Sequence, residues 1–228
     1  FGNMTDTTEI QQFCKDNDIL FIEDAAQSLG SSLHNVHAGT IGDCSVYSFN
    51  SNKVIAGING GGVVLTNNED IAKRVKMIRR HGKDKDFSMM GYNSRMYVLN
   101  AEIINLRLRH AERNQERRQQ IAHEYNTAFI DLPVVTQGMS NGLNHNYHKY
   151  VVRFEDKDTR KRVKNAVNAS IHYETPLSAN SMYANLECRN DACTASKTAS
   201  STVLSLPIHA WLTAAEINDI IKIVKNAI

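Results

Sequence analysis

Net charge is almost absent from this chain: 26 basic side chains face 24 acidic ones, leaving +2. That balance provides no field from which to argue a nucleic-acid or anionic-membrane partner. Long apolar runs are also missing, and none approaches the ~20 residues that a membrane span requires. The opening Phe1-Gly2-Asn3-Met4 has neither a basic nor a hydrophobic leader region, so no signal peptide is expected. The four cysteines, Cys14, Cys44, Cys188 and Cys193, lack both disulfide density and metal spacing. A reducing cytoplasmic compartment is the expectation. Two His-x-x-His pairs, His34/His37 and His145/His148, have no cysteine or carboxylate partner at zinc spacing. No metal site is expected, because such sites need three or four converging ligands.

What is present is an ordinary globular composition, 42% hydrophobic and 22% charged over 228 residues. That length suffices for one large or two small domains with a real core. Ile10, Phe13 and Cys14 fall at helical spacing, which predicts a helix over residues 6–17. An apolar strand over 19–22 follows directly. Further strands are expected at 44–49 and 63–66, and a helix capped by Asn68 at 68–80. A helix feeding a continuous apolar strand suggests a buried parallel sheet with crossover helices. Residues 81–90 read as a loop, 97–130 as a long helix bent or broken near 107–110, and 131–146 as a linker. Beyond it the pattern shifts to a small α+β domain. It comprises a strand (147–154), a helix (156–168), short strands at 171–173 and 204–207, a helix near 197–201 and a terminal helix from 214.

The chemistry concentrates where apolar runs end. Ile19-Leu20-Phe21-Ile22 leads into Glu23-Asp24, and Cys44-Ser45-Val46-Tyr47-Ser48-Phe49 leads to Lys53 and then the glycines Gly60, Gly61 and Gly62. Open α/β sheets bind ligands at the C-terminal ends of their strands. An acid and an amine delivered to one such crevice are what pyridoxal phosphate (PLP) needs. The acid keeps the pyridine nitrogen protonated, and the lysine holds the aldehyde as a Schiff base. Glu23 should point to the opposite face from Asp24. Ser48 offers a hydroxyl to a phosphate, and the glycines permit close backbone approach.

These residues, taken in order, resemble the DegT/StrS-like nucleotide-sugar aminotransferases, PLP enzymes of the aspartate-aminotransferase fold. The resemblance runs through Glu23-Asp24-Ala25-Ala26-Gln27, Gly39-Thr40-Ile41-Gly42-Asp43, Ser48-Phe49-x-x-x-Lys53 and Val63-Val64-Leu65-Thr66. It continues through Gly91-Tyr92-Asn93-Ser94-Arg95-Met96, Ile171-His172-Tyr173 and Leu204-Ser205-Leu206-Pro207. It implies an α/β fold: the C-terminal part of a PLP fold-type-I large domain over 1–110, its N-terminal strands missing. The connecting helix and a small α+β domain would occupy 111–228. Lys53 would be the Schiff-base lysine and proton shuttle, Asp24 the partner of the pyridine nitrogen, Gln27 a ring contact and Ser48 a phosphate ligand. Asn93 would reach the phosphate of a neighbouring subunit's cofactor, making the enzyme a homodimer with shared sites. His172 and Tyr173 would line the sugar-nucleotide cleft.

The resemblance implies amino transfer from an amino acid, glutamate, to a keto-sugar nucleotide for cell-surface glycan or natural-product synthesis. Relatives with histidine at the position of Lys53 dehydrate sugars instead. The spacing Asn52-Lys53-x5-Asn59-Gly60-Gly61 leans toward members that aminate C4 of a 4-keto-6-deoxy sugar. Departures are also visible. Members carry a long preceding stretch with the first strands, a phosphate loop and an aromatic ring that stacks on PLP, and none has a counterpart here. The expectation is a fragment of a longer enzyme, with a non-catalytic scaffold or dimerisation remnant as the alternative. Asn59 stands where many members have an acid or glycine. Tyr97 and Asn100 replace an acid and a glutamine, and the loop before Ile171 is short.

Overall fold

The computed structural model describes residues 1–83, 88–183 and 193–228. The chain divides into two compact units, one of Phe1–Glu116 with Met139–His148 and one of Arg117–Gly138 with Lys149–Ile228.

The first unit opens with helix α1 (Thr8–Asp16), followed by strand β1 (Ile22–Asp24), hairpin β2 (Ser32–Leu33) and β3 (Val36–His37), and strands β4 (Cys44–Ser48) and β5 (Gly62–Leu65). Strand β1 pairs with β4 in parallel, Ile22 opposite Cys44 and Asp24 opposite Val46. Strand β5 returns antiparallel to β4, Ser48 opposite Gly62. The apolar run expected as a strand at 19–22 pairs only from Ile22 onward. Before it, Asp43 accepts from the Phe21 amide through Oδ2 and donates its own amide to the Phe21 carbonyl, which sets where the ladder begins.

Two further expectations are corrected. The connection from β1 to β4 contains the β2–β3 hairpin rather than a crossover helix. The sheet is also not buried: Leu20 is 69% and Ile22 64% exposed, and α1 and α2 (Glu69–Ile78) contain no buried residue. The unit's core is a cluster of Met4, Ala25, Ala38 and Leu143, against which Tyr47 of β4 packs, and another of Phe49, Ile55 and Ile104, against which Val63 of β5 packs. Asn68 caps α2 as expected, accepting from the amides of Asp70 and Ile71.

Helix α3 (Val98–Leu108) ends and α4 (Ala111–Phe129) begins at the expected break. The stretch read as a linker holds strands β6 (Val134–Val135) and β7 (Leu143–Asn144). Strand β7 pairs with β2 and so belongs to the first unit. There His145 and His148, expected in polar loop sequence, are buried. The pair His34 and His37 stays exposed.

In the second unit, β6, β8 (Tyr150–Phe154) and β9 (Val203–Leu206) form an antiparallel sheet. Helix α5 (Lys157–Ala166) packs on β8 and on α7 (Ala214–Ala227). Helix α6 (Thr194–Thr202) leads straight into β9. Ile121, Ala122, Tyr125 and Phe129 make one buried face of α4 at helical spacing. The Tyr125 ring packs on Tyr150, centroids 5.0 Å apart, while its hydroxyl donates to the Pro207 carbonyl at 2.9 Å. Thr213 and Glu216 close a capping box on α7. The strand expected at 171–173 is reduced to a single bridge, Ser170 with Ser205. The two amide bonds there end at Ser170, and the chain turns at His172 and Tyr173.

His145 is fully buried, and burial pushes its imidazole down from 6.5 to about 4. The folded chain therefore favours the neutral ring. Its stabilisation is complete above the unfolded value and is lost as pH falls from about 6.5 toward 4. Urea unfolding followed by circular dichroism should show a loss of about 2 kcal/mol between pH 7 and pH 5. His145→Gln should flatten that slope.

Candidate functional site

The parallel register of β1 and β4 brings two strand ends to one edge. Asp24 closes β1 beside Val46, and the ladder continues one step as the Ala25 amide donates to the Val46 carbonyl at 3.0 Å. Ser48 ends β4 two residues further along the same direction. Gln27 lies in the turn that follows Asp24, where the Ser28 amide donates to the Ala25 carbonyl. Lys53 follows Ser48 in a loop with a closed base. The Gly57 amide donates to the Phe49 carbonyl at 2.7 Å, and the Phe49 amide to the Gly61 carbonyl at 2.9 Å. Phe49 and Ile55, either side of Lys53, are anchored in the Ile104 cluster. Asp24, Gln27, Ser48 and Lys53 thus share the C-terminal edge of a parallel pair.

The carboxylate of Asp24 is exposed, and its Oδ1 accepts from the Ala26 amide at 3.1 Å. Ser48 Oγ accepts from the Asn50 amide at 3.3 Å, leaving its proton free to donate. Lys53 is half-buried, and its amide donates to the Asn50 carbonyl. Among the described residues its ammonium has no salt-bridge partner.

The other expected site residues lie apart in the chain. Asn93 is exposed and pairs with Arg80 through an isolated bridge. His172 and Tyr173 belong to the second unit. His172 Nδ1 lies 2.8 Å from Ser205 Oγ, while Tyr173 is 61% exposed. Burial, with a smaller contribution from Lys149, holds the His172 imidazole below its ordinary range.

Two supports were not anticipated by sequence reasoning. Glu23 grips the 39–41 loop, Oε1 accepting from the Gly39 amide at 2.6 Å and Oε2 from the Ile41 amide at 3.1 Å. Ser45 Oγ donates to the Gly39 carbonyl and Tyr47 Oη to the Ala38 carbonyl. Burial, then the Glu23 charge, raises the Tyr47 phenol. The sequence signal was the Glu23-Asp24 pair itself, alternate residues of a strand serving opposite faces. Asn146, almost fully buried, donates through Nδ2 to the carbonyls of Gln27 at 3.0 Å and Leu29 at 2.9 Å. It pins the Gln27 turn from a point 119 residues away, and no local pattern marks it.

The family model described as "DegT/DnrJ/EryC1/StrS aminotransferase family" matches residues 1–225. The chain belongs to this family. A pleiotropic regulatory protein of Geobacillus stearothermophilus is 29% identical over 93% of the chain and 59% of its own length. The dTDP-3-amino-3,6-dideoxy-alpha-D-galactopyranose transaminase of Aneurinibacillus thermoaerophilus is 28% identical over 99% of the chain and 63% of its own. The crystal structure of a DegT DnrJ EryC1 StrS aminotransferase from Brucella abortus superposes with a TM-score of 0.91 at 26% identity. That match covers 99% of this chain and 61% of the Brucella chain. The chain therefore spans about three-fifths of the length of the family members it matches.

The side chains at the strand edge fit the PLP of this family. Gln27 Oε1 is buried and has no hydrogen-bond partner among the described residues, an acceptor that a bound group would satisfy. An acid, a hydroxyl and an amine lie at or just after these strand ends, the side-chain types that PLP chemistry uses. Among the described residues no three His, Cys, Asp or Glu side chains converge as a metal site, and no helix is long and apolar enough to cross a membrane.

Gly39 offers a direct test of the support behind the edge. Its φ is +87°, and a Cβ there would stand 2.2 Å from Tyr47 Oη. Gly39→Ala should lower stability by about 2 kcal/mol in thermal unfolding, combining backbone strain with displacement of Tyr47. Thr40→Ala, at an exposed neighbour, should cost under about 0.5 kcal/mol.

Proposed function

We propose that this chain forms part of a PLP-dependent aminotransferase. The enzyme would move an amino group from an amino acid, glutamate, to a keto-sugar nucleotide at C4 of a 4-keto-6-deoxyhexose. The observation that carries the reading is the common strand edge of Asp24, Gln27, Ser48 and Lys53, with the unsatisfied Gln27 acceptor among them. When bound, PLP supplies an electron sink for the charge that develops on the substrate carbon.

The chain's own residues then have defined work. Asp24 holds a proton on the pyridine nitrogen through a charge-assisted hydrogen bond. Ser48 Oγ donates to the phosphate, and Gln27 contacts the ring face or its 3′-oxygen. Lys53 would hold the aldehyde through its Nζ and would serve as the base that moves the proton at the reacting carbon. A base with this task works best with a pKa near neutrality. Asn93 reaches the phosphate held by a second copy, making the active species a cytoplasmic homodimer, and His172 and Tyr173 contact the sugar nucleotide. The lean to C4 rests on the Lys53–Gly60 spacing. The Aneurinibacillus relative is named as the transaminase of a 3-amino sugar, so the position of amination is the finer part of the proposal.

The test begins with absorbance after incubation with PLP, before and after borohydride. A visible band that borohydride traps on Lys53, lost entirely in Lys53→Ala and weakened about tenfold in Asp24→Asn, is expected. Glutamate with a 4-keto-6-deoxy nucleotide sugar should then give an amino sugar, and a 3-keto substrate should react at least about tenfold more slowly. Preference for the 3-keto substrate would overturn the C4 assignment. A folded chain with no band would overturn catalysis by this chain and favour the scaffold reading.

A further inference from the structure

Asn100 stands in the first turn of α3, only 7% exposed, and spends both ends of its side-chain amide on one backbone turn. Its Oδ1 accepts from the Ile58 amide at 2.8 Å, and its Nδ2 donates to the Gly60 carbonyl at 2.7 Å. Ile58 and Gly60 also form an isolated bridge across that turn. Gly57 allows the close approach, since a Cβ there would lie 2.5 Å from Asn100 Oδ1. Gly61 likewise lies against Met96 and Asn100.

Packing alone does not hold the turn. A Cβ at Gly60 would meet nothing within 4 Å, and a cavity of ≈ 390 Å³ borders Asn59, Gly60 and Gly61. The two amide bonds to Asn100 are side-chain constraints on this turn, beside its backbone bonds to Phe49 and the Arg107 bond to the Ala56 carbonyl. The same turn closes the Lys53 loop, through Gly57 to the Phe49 carbonyl and Gly61 to the Phe49 amide. The chain of contacts runs from Asn100 to the glycine turn, to Phe49, and so to the base of the loop that carries Lys53.

We infer that Asn100 is a positioning residue for Lys53, acting through the Gly57–Gly61 turn. This rests on the proposed role of Lys53 as the working amine. The chemistry demands a group that both accepts and donates. Aspartate keeps the acceptor for Ile58 but sets a carboxylate oxygen against the Gly60 carbonyl. Alanine removes both bonds.

The test compares Asn100→Ala and Asn100→Asp with Glu102→Ala, an exposed position on the same helix. In the chain without cofactor, hydrogen exchange at the Phe49 and Gly57 amides should accelerate about tenfold in both Asn100 variants. Ile58 should accelerate in the alanine variant and less in the aspartate one. The rate at which an amine-selective acylating reagent labels Lys53, normalised to Lys73, should change severalfold, and Glu102→Ala should alter neither. Should Asn100→Ala fail to fold, the near-isosteric aspartate variant carries the measurement. Unchanged exchange at Phe49 and Gly57, or faster exchange with unchanged Lys53 labelling, would overturn the inference. With PLP added, the Lys53-trapped band should need about tenfold more PLP in Asn100→Asp than in wild type. Equal PLP dependence would also overturn it. A wild-type chain that forms no band overturns the proposed role of Lys53 instead, and exchange and labelling then decide the place of Asn100 by themselves.

Discussion

Everything at the candidate site depends on the parallel pairing of β1 with β4. Because the two strands run the same way, their C-terminal ends coincide, and with Asp24 opposite Val46 the acid and Ser48 emerge at one edge. Antiparallel pairing would have sent them to opposite ends of the sheet. A one-residue slip would have turned Asp24 toward the face that Glu23 now occupies. The register is held at both limits, by Asp43 on Phe21 at the start and by the Ala25 amide on the Val46 carbonyl at the finish.

Three polar side chains brace the loops around this pair. Glu23 holds 39–41, Asn146 holds the Gln27 turn and Asn100 holds the glycine turn. Each works on main-chain groups that would otherwise lack partners, which is costly away from water. The second unit is built differently, on the aromatic and aliphatic packing of Tyr125, Phe129 and Tyr150 and on well-capped helices.

The helices and the break at 109–110 were legible because apolar spacing and caps are local signals. The strands at Cys44–Ser48 and Tyr150–Phe154 were legible because continuous apolar runs mark them. The strand read at 19–22 pairs only from Ile22 onward, because an apolar run pairs only where a partner strand lies beside it. The reading of 171–173 failed in the same way, since only Ser170 finds the edge of β9. His145 and Asn146 looked like linker residues because their burial comes from segments far away in the chain.

By itself the sequence determined the chemical inventory: an acid, a glutamine, a serine and a lysine placed after apolar runs, in the order and spacing of one aminotransferase family. Those are properties of composition and local order, which the unfolded chain already carries. Tertiary structure alone decided that Asp24 and Ser48 end paired parallel strands, that β5 returns antiparallel, and that Asn100 and Asn146 serve the loops. The Asn100 and Asn146 contacts join residues 40 to 119 positions apart. They exist only once the backbone has paid the entropy of closing those loops, and no local pattern records them.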